Sequence, residues 1–160
     1  MCSSSVSGGQ YVEKLDRKDW VLAILSYFSD SSFSPVQIQK LFFLLDYNLD
    51  KIDKDFTRYF DFQPYDYGPF DRAVYDGLDE LKEDECIHID GNSWNSRRSY
   101  AITVKGFELG HKLHDSISEE LQDYIVKLGE WVLKVSFIEL ISTIYRQYPD
   151  MKVNSVFNRN

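Results

Sequence analysis

Cys86 and His88 stand two apart in the alternating run Ile87-His88-Ile89-Asp90, a spacing that puts a thiol and an imidazole on one face of a strand and invites a nucleophile–base pair. His111 and His114, three apart on a helical pattern with Asp115 adjacent, could supply metal ligands. Arg97 and Arg98, beside Trp94 in a turn-rich segment, could meet phosphate or enter a minor groove. Each has a plainer alternative. No nearby residue suggests an oxyanion site or an acid to orient the imidazole, so Cys86 fits a buried structural thiol better. Apart from His88, no third histidine or cysteine pair completes a metal set. Two arginines make few phosphate contacts. No phosphate-cradling glycine loop, metal motif or Ser-His-Asp pattern occurs. The chain is expected to be no enzyme and to need no cofactor and no metal.

A second kind of chemistry, recognition, is better represented. Tyr65-Asp66-Tyr67-Gly68-Pro69-Phe70 reads as an aromatic turn that launches an amphipathic helix, and that helix runs into a hairpin. A helix feeding a hairpin is the last part of a winged helix-turn-helix, an architecture that usually grips DNA. Between Asp71 and Glu85, however, seven acidic residues face only Arg72 and Lys82. A DNA reader needs cations to displace counterions, and this helix would repel phosphate. The expectation is therefore a DNA-binding architecture used to hold a protein, with Tyr65, Tyr67, Gly68, Pro69, Arg72, Tyr75 and Asp79 as the binding set. Tyrosine is enriched at interface hot spots, and an acidic helix would steer a basic partner. The opposing reading has the tyrosines merely sealing a small core beneath the turn. The alternative function is a transcriptional regulator that dimerises through its C-terminal helices and touches DNA with Trp94, Arg97 and Arg98.

The elements that must position these residues follow from periodicity. Trp20, Val21, Ile24, Leu25 and Phe28 mark one face of a first helix. Ser34-Pro35-Val36-Gln37 combines a capping Ser, Pro at the first helical position and Gln three after the cap. The helix it opens carries Ile38, Leu41, Phe42, Leu45 and Leu49, broadened by Phe43, Leu44 and Tyr47, so it is expected to be buried on most sides. Residues 52–66 read as irregular or extended. Gly68-Pro69 predicts the next helix start, with Phe70, Val74, Leu78 and Leu81 inward and Gly77 placed for some close packing. Two alternating runs around Gly91–Arg98 predict a hairpin. Thr103 is expected to cap a helix bearing Phe107, Leu109 and Leu113. Ser116–Glu119 and Ser136–Glu139 read as capping boxes, the second opening a helix that buries Ile138, Ile141, Ile144 and Tyr145 before Pro149. The expected fold is α+β and mostly α-helical, a winged-helix-like core with one β-hairpin and additional C-terminal helices.

Bulk properties bound the class. With 160 residues, 43% of them hydrophobic and 16% aromatic, the chain is too apolar for disorder and suits one domain over residues 11–160 behind a disordered tail over 1–10. A net charge of −8 argues against a general polyanion binder. Cys2 and Cys86 suggest reduced thiols, and no apolar run is long enough for a signal or span, so a cytoplasmic protein without a membrane partner is expected.

Gln39-Lys40-Leu41-Phe42-Phe43-Leu44-Leu45-Asp46-Tyr47 resembles the opening pattern of the SocA-like Panacea antitoxin domains. Phe62 to Pro69 resembles their aromatic turn ending in Tyr-Gly-Pro, and Val74-Tyr75-Asp76-Gly77-Leu78 the helix after it. Phe137 to Ile141, with Ile144-Tyr145 and Tyr148-Pro149, is similar to their closing helix. Phe70 stands where the family most often has a small aliphatic residue and the region between the motifs is short and aromatic, so a more distant cousin such as the YwgA-like proteins is the alternative resemblance. The resemblance implies a Panacea-like antitoxin that neutralises a partner protein, a toxin, by direct binding. Leu78, Leu81, Ile87 and Tyr100-Ala101-Ile102-Thr103 also resemble the helix and wing of PadR-type regulators, with Glu85 and Cys86 in place of the usual Gly.

Overall fold

A computed structural model of the chain describes residues 14–91 and 98–156. The expected tail over 1–10, together with Trp94 and Arg97, lies outside the described residues. Among the described residues, six α-helices and four short strands follow in the order α1 (Arg17–Leu25), α2 (Pro35–Ile52), β1 (Gln63–Tyr65), β2 (Gly68–Phe70), α3 (Arg72–Glu83), β3 (Ile87–Asp90), β4 (Ser99–Ile102), α4 (Val104–Lys112), α5 (Glu119–Lys134) and α6 (Phe137–Gln147). The fold is α+β and mostly helical, as the periodicities require. No helix among the described residues is long and apolar enough to cross a membrane.

Helices α1, α2 and α3 are followed by the antiparallel hairpin β3–β4, in register Ile87↔Ile102 to Asp90↔Ser99. Phe33, in the turn before α2, exchanges two backbone hydrogen bonds of 2.9 Å with Tyr100, which ties that turn to the hairpin. Helix α2 starts as its sequence dictates. Ser34 Oγ accepts from the Gln37 amide at 3.1 Å, and Gln37 Oε1 accepts from the Ser34 amide at 2.8 Å. From Ile38 to Leu45 every side chain of α2 is buried, because α5, the β1–β2 hairpin and the irregular 53–62 segment surround it. Helix α1 is buried from Trp20 through Leu25, since α3 and α4 pack on different sides of it.

Several local expectations are corrected. Gly68 and Pro69 do not open a helix; they form a second antiparallel pair with β1, closed by the two-residue turn Asp66-Tyr67. Pro64 lies opposite Pro69, so neither proline needs the N–H it lacks, and both carbonyls turn outward. Lys40 and Asn154 donate to them, each at 3.0 Å. Helix α3 begins three residues later, with Asp71 Oδ1 capping the Ala73 amide at 2.9 Å. Helix α5 is capped by Ser118 rather than Ser116, through Ser118 Oγ and the Leu121 amide. In α6, Ile138 is exposed and Leu140 takes its place in the core, because the first turn lies at the rim.

Two glycines sort the packing. Helix α4 turns Gly106 and Gly110 inward and leaves Leu109 exposed. A Cβ on Gly106 would stand 2.0 Å from the Cys86 carbonyl oxygen, which is backbone and cannot step aside. Gly106→Ala is expected to destabilise by about 3 kcal/mol despite its better helix propensity, measured by urea unfolding. Gly77 has no such constraint, since its added Cβ would meet only Val21 Cγ2 at an ordinary 3.6 Å. Gly77→Ala should therefore stabilise by up to about 1 kcal/mol.

Glu85 ends α3 at φ 64°, in the left-handed region, where the resembled wing pattern carries Gly. Glu85→Gly should raise stability by about 1 kcal/mol, read as a higher melting temperature.

Candidate functional site

Three buried polar side chains of α2 govern the shape of the surface opposite them. Gln39, Lys40 and Asp46 are only 1%, 3% and 0% exposed. Gln39 exchanges two 3.0 Å hydrogen bonds with the backbone of Asp71, donating from Nε2 to its carbonyl and accepting its amide at Oε1. Lys40 Nζ donates to the Pro69 carbonyl. Asp46 accepts the Tyr59 amide at both carboxylate oxygens, 3.1 Å each, and the Phe60 amide at 2.9 Å. Apart from the short β1–β2 pair, the segment from Tyr59 to Asp71 has no ladder, so these bonds satisfy amides and carbonyls that lack a strand partner. Asp71 adds a fourth tie, with Oδ2 accepting the Asp61 amide at 2.7 Å.

Burial sets the protonation of both charged members. It lowers the Lys40 ammonium to a pKa of about 7 and raises the Asp46 carboxyl to about 6, against the pull of the two amides and of Arg58 and Lys14. Between pH 7 and the ordinary lysine value of 10.5 the unfolded chain holds a proton at Lys40 that the folded chain has released. Stability therefore rises with pH across that window. Melting temperatures from pH 7 to 10 should show this rise in the wild type, and Lys40→Met should remove its Lys40 component.

On this support sits an exposed apolar surface. Tyr65 is 55% exposed and stacks on Phe70 with ring centroids 5.0 Å apart. Tyr67, in the hairpin turn, is 44% exposed and meets the edge of Phe137 at 5.6 Å. Phe137 and Ile138, in the first turn of α6, are 42% and 63% exposed. The chain after α6 returns beneath the hairpin, where the Val156 amide and Ser155 Oγ both donate to the Asp66 carbonyl. Gly68 sits at φ 98°, so a side chain there would be strained, although its Cβ would meet Tyr145 and Lys40 only at ordinary contact distances of 3.4 to 3.8 Å.

The structure divides the residues named from sequence. Tyr65 and Tyr67 are exposed at the hairpin. Gly68 and Pro69 are buried and shape the turn from below. Arg72 and Asp79 lie exposed on α3, where Arg72 pairs with Asp76 at 3.7 Å. Tyr75 is half-buried between Phe70 and Tyr100, at 5.6 and 6.3 Å, and burial raises its phenol to about 12. It acts as the seal that the plainer reading assigned to all three tyrosines. Phe137 and Ile138 were missed as surface residues. The signal was present, since Ser136 caps the Glu139 amide and leaves two apolar residues ahead of the packed stripe.

The other candidates are occupied differently. Cys86 is buried before β3 and His88 is exposed on it, paired with Asp90 at 2.9 Å, so the two do not share a face. His114 directs Nε2 at Ser26 Oγ (2.6 Å) and the Ala23 carbonyl (3.1 Å), and stacks on Tyr27. Arg98, at the loop end of the β3–β4 hairpin, donates to the Tyr100 hydroxyl at 3.0 Å. The helix that would enter a DNA groove, α3, exposes Asp76, Asp79, Glu80 and Glu83.

What the geometry offers is a set of exposed apolar side chains, Tyr65, Tyr67, Phe137 and Ile138, with Asp61 and Asp66 also exposed. Compared with protein-family models and with curated proteins, the sequence matches none.

Proposed function

We propose that this chain is a non-catalytic binding domain of the antitoxin kind, which neutralises a partner protein by holding it against Tyr65, Tyr67, Phe137 and Ile138. The observation that carries the reading is the exposure of Tyr65 and Tyr67 on a hairpin tied to α2 through Lys40, with Tyr67 against the part-exposed Phe137 of α6 and Ile138 exposed next to it in sequence. A partner need not order this surface on binding, so less of the contact energy is lost. The resemblance to SocA-like Panacea domains supports the same reading, because its motif residues are the ones that build and hold the hairpin. The acidic flank of Asp61, Asp66 and α3 favours a partner with basic residues around an apolar centre.

DNA binding through the hairpin is the less supported alternative, given the acidic face of α3 and the engagement of Arg98 with Tyr100. The test is affinity capture with the full chain from nuclease-treated native lysate. A stoichiometric protein partner is expected, dissociating with a rise in salt. Recovery of only nuclease-sensitive material would overturn the reading.

A further inference from the structure

A second recognition site lies away from the hairpin. A cleft of about 560 Å³ opens between the start of α1, the 53–59 segment and the turn before α5. Its apolar wall is a three-ring cluster. Trp20 stacks on Tyr59 at 4.7 Å with an interplanar angle of 8°, and Phe56 meets both, at 5.7 and 5.9 Å. Asp53, Asp55 and Asp115 line the cleft, and Lys14 is the one basic residue among the described residues that line it. The Lys14 ammonium lies over the Tyr59 ring, 4.6 Å from its centroid, and donates to Thr57 Oγ1. The Trp20 indole N–H has no hydrogen-bond partner among the described residues.

We propose that this cleft binds an organic ammonium group carried on a short apolar stem. An aromatic face attracts a cation through its quadrupole, and the attraction grows when the cation leaves bulk water. Three carboxylates against one ammonium leave the cleft acidic even with Lys14 in place. Lys14 is the internal stand-in: its ammonium takes the position the ligand's would take, so the ligand displaces it. The stem of the ligand lies against Phe56 and Leu121, which line the same wall. A free amine and a lysine side chain of another protein share this chemistry.

The test is titration of the full chain with three probes, followed on the Trp20 indole N–H resonance. The probes are choline, its neutral carbon isostere 3,3-dimethylbutan-1-ol, and Nα-acetyl-lysine methylamide. At least one cationic probe is expected to shift the resonance saturably, and the neutral isostere to bind about tenfold more weakly or less. Saturation by choline alone assigns a small organic cation, and saturation by the lysine derivative assigns a protein side chain. Tyr59→Leu should weaken the cationic probe at least about fivefold, and Tyr59→Phe, which keeps the ring, should restore it. Lys14→Ala should tighten it. Equal binding of the neutral isostere, no saturable shift with either cation, or unchanged affinity in a folded Tyr59→Leu variant would overturn the proposal.

Discussion

Asp46→Ala is expected to destabilise the domain by about 2–5 kcal/mol, the cost of leaving buried amides without an acceptor. The Tyr59 and Phe60 amides both point at that carboxylate, and the segment they belong to has no strand partner to take its place. Asp46→Asn separates the acceptor from the charge. The amide oxygen can still receive one or both N–H groups, so this variant should keep most of the stability. Its pH profile carries the sign. Because burial raises the Asp46 pKa from 3.8 to about 6, the folded chain holds the proton more tightly than the unfolded chain between those values. The associated stabilisation is complete below pH 3.8 and is lost as pH rises through 6. Wild type should therefore lose stability relative to Asp46→Asn across that interval. Urea unfolding followed by circular dichroism at pH 4, 5, 6 and 7 measures both effects.

The largest functional effect is expected from Tyr67→Ala combined with Phe137→Ala. The two rings touch edge to face and are each a little under half exposed, so they offer a partner one continuous apolar contact. Truncation of an interface aromatic typically costs at least about 2 kcal/mol, so the pair should weaken partner binding by about a hundredfold or more. Stability should change by no more than about 1 kcal/mol, since neither ring belongs to the closed core. Tyr75→Ala should behave in the opposite way, costing stability because its ring is packed between Phe70 and Tyr100. Calorimetric titration against the captured partner, paired with melting curves, distinguishes the two behaviours.

The helices were legible because their signals were local. The capping box at Ser34–Gln37 and the continuous apolar run behind it specify the start of α2 and its burial together. The stripe of α1 and the caps at Thr103 and Ser136 follow the same logic. Residues 53–66 are irregular and then extended, as read, but what holds the 53–71 segment in place was not legible for the complementary reason. Its shape comes from Gln39, Lys40 and Asp46, residues 13 to 32 positions away, and periodicity says nothing about such partners. Gly68-Pro69 misled because glycine and proline serve a helix start and a tight hairpin equally well in isolation. The candidate surface was half legible: aromatic density singled out Tyr65 and Tyr67, while Phe137 and Ile138 joined it only through folding. That Gln39, Lys40 and Asp46 stay polar on a helix buried on most sides was the one available hint of their role.

The most direct test of the binding account is site-specific photocrosslinking in native cells. A photoreactive phenylalanine analogue would replace Tyr67 in one variant and Val104, 77% exposed on α4, in another. One discrete protein adduct at position 67 and none at 104 is the predicted result. An adduct at 104 without one at 67, or nucleic acid crosslinked at either position, would contradict the account.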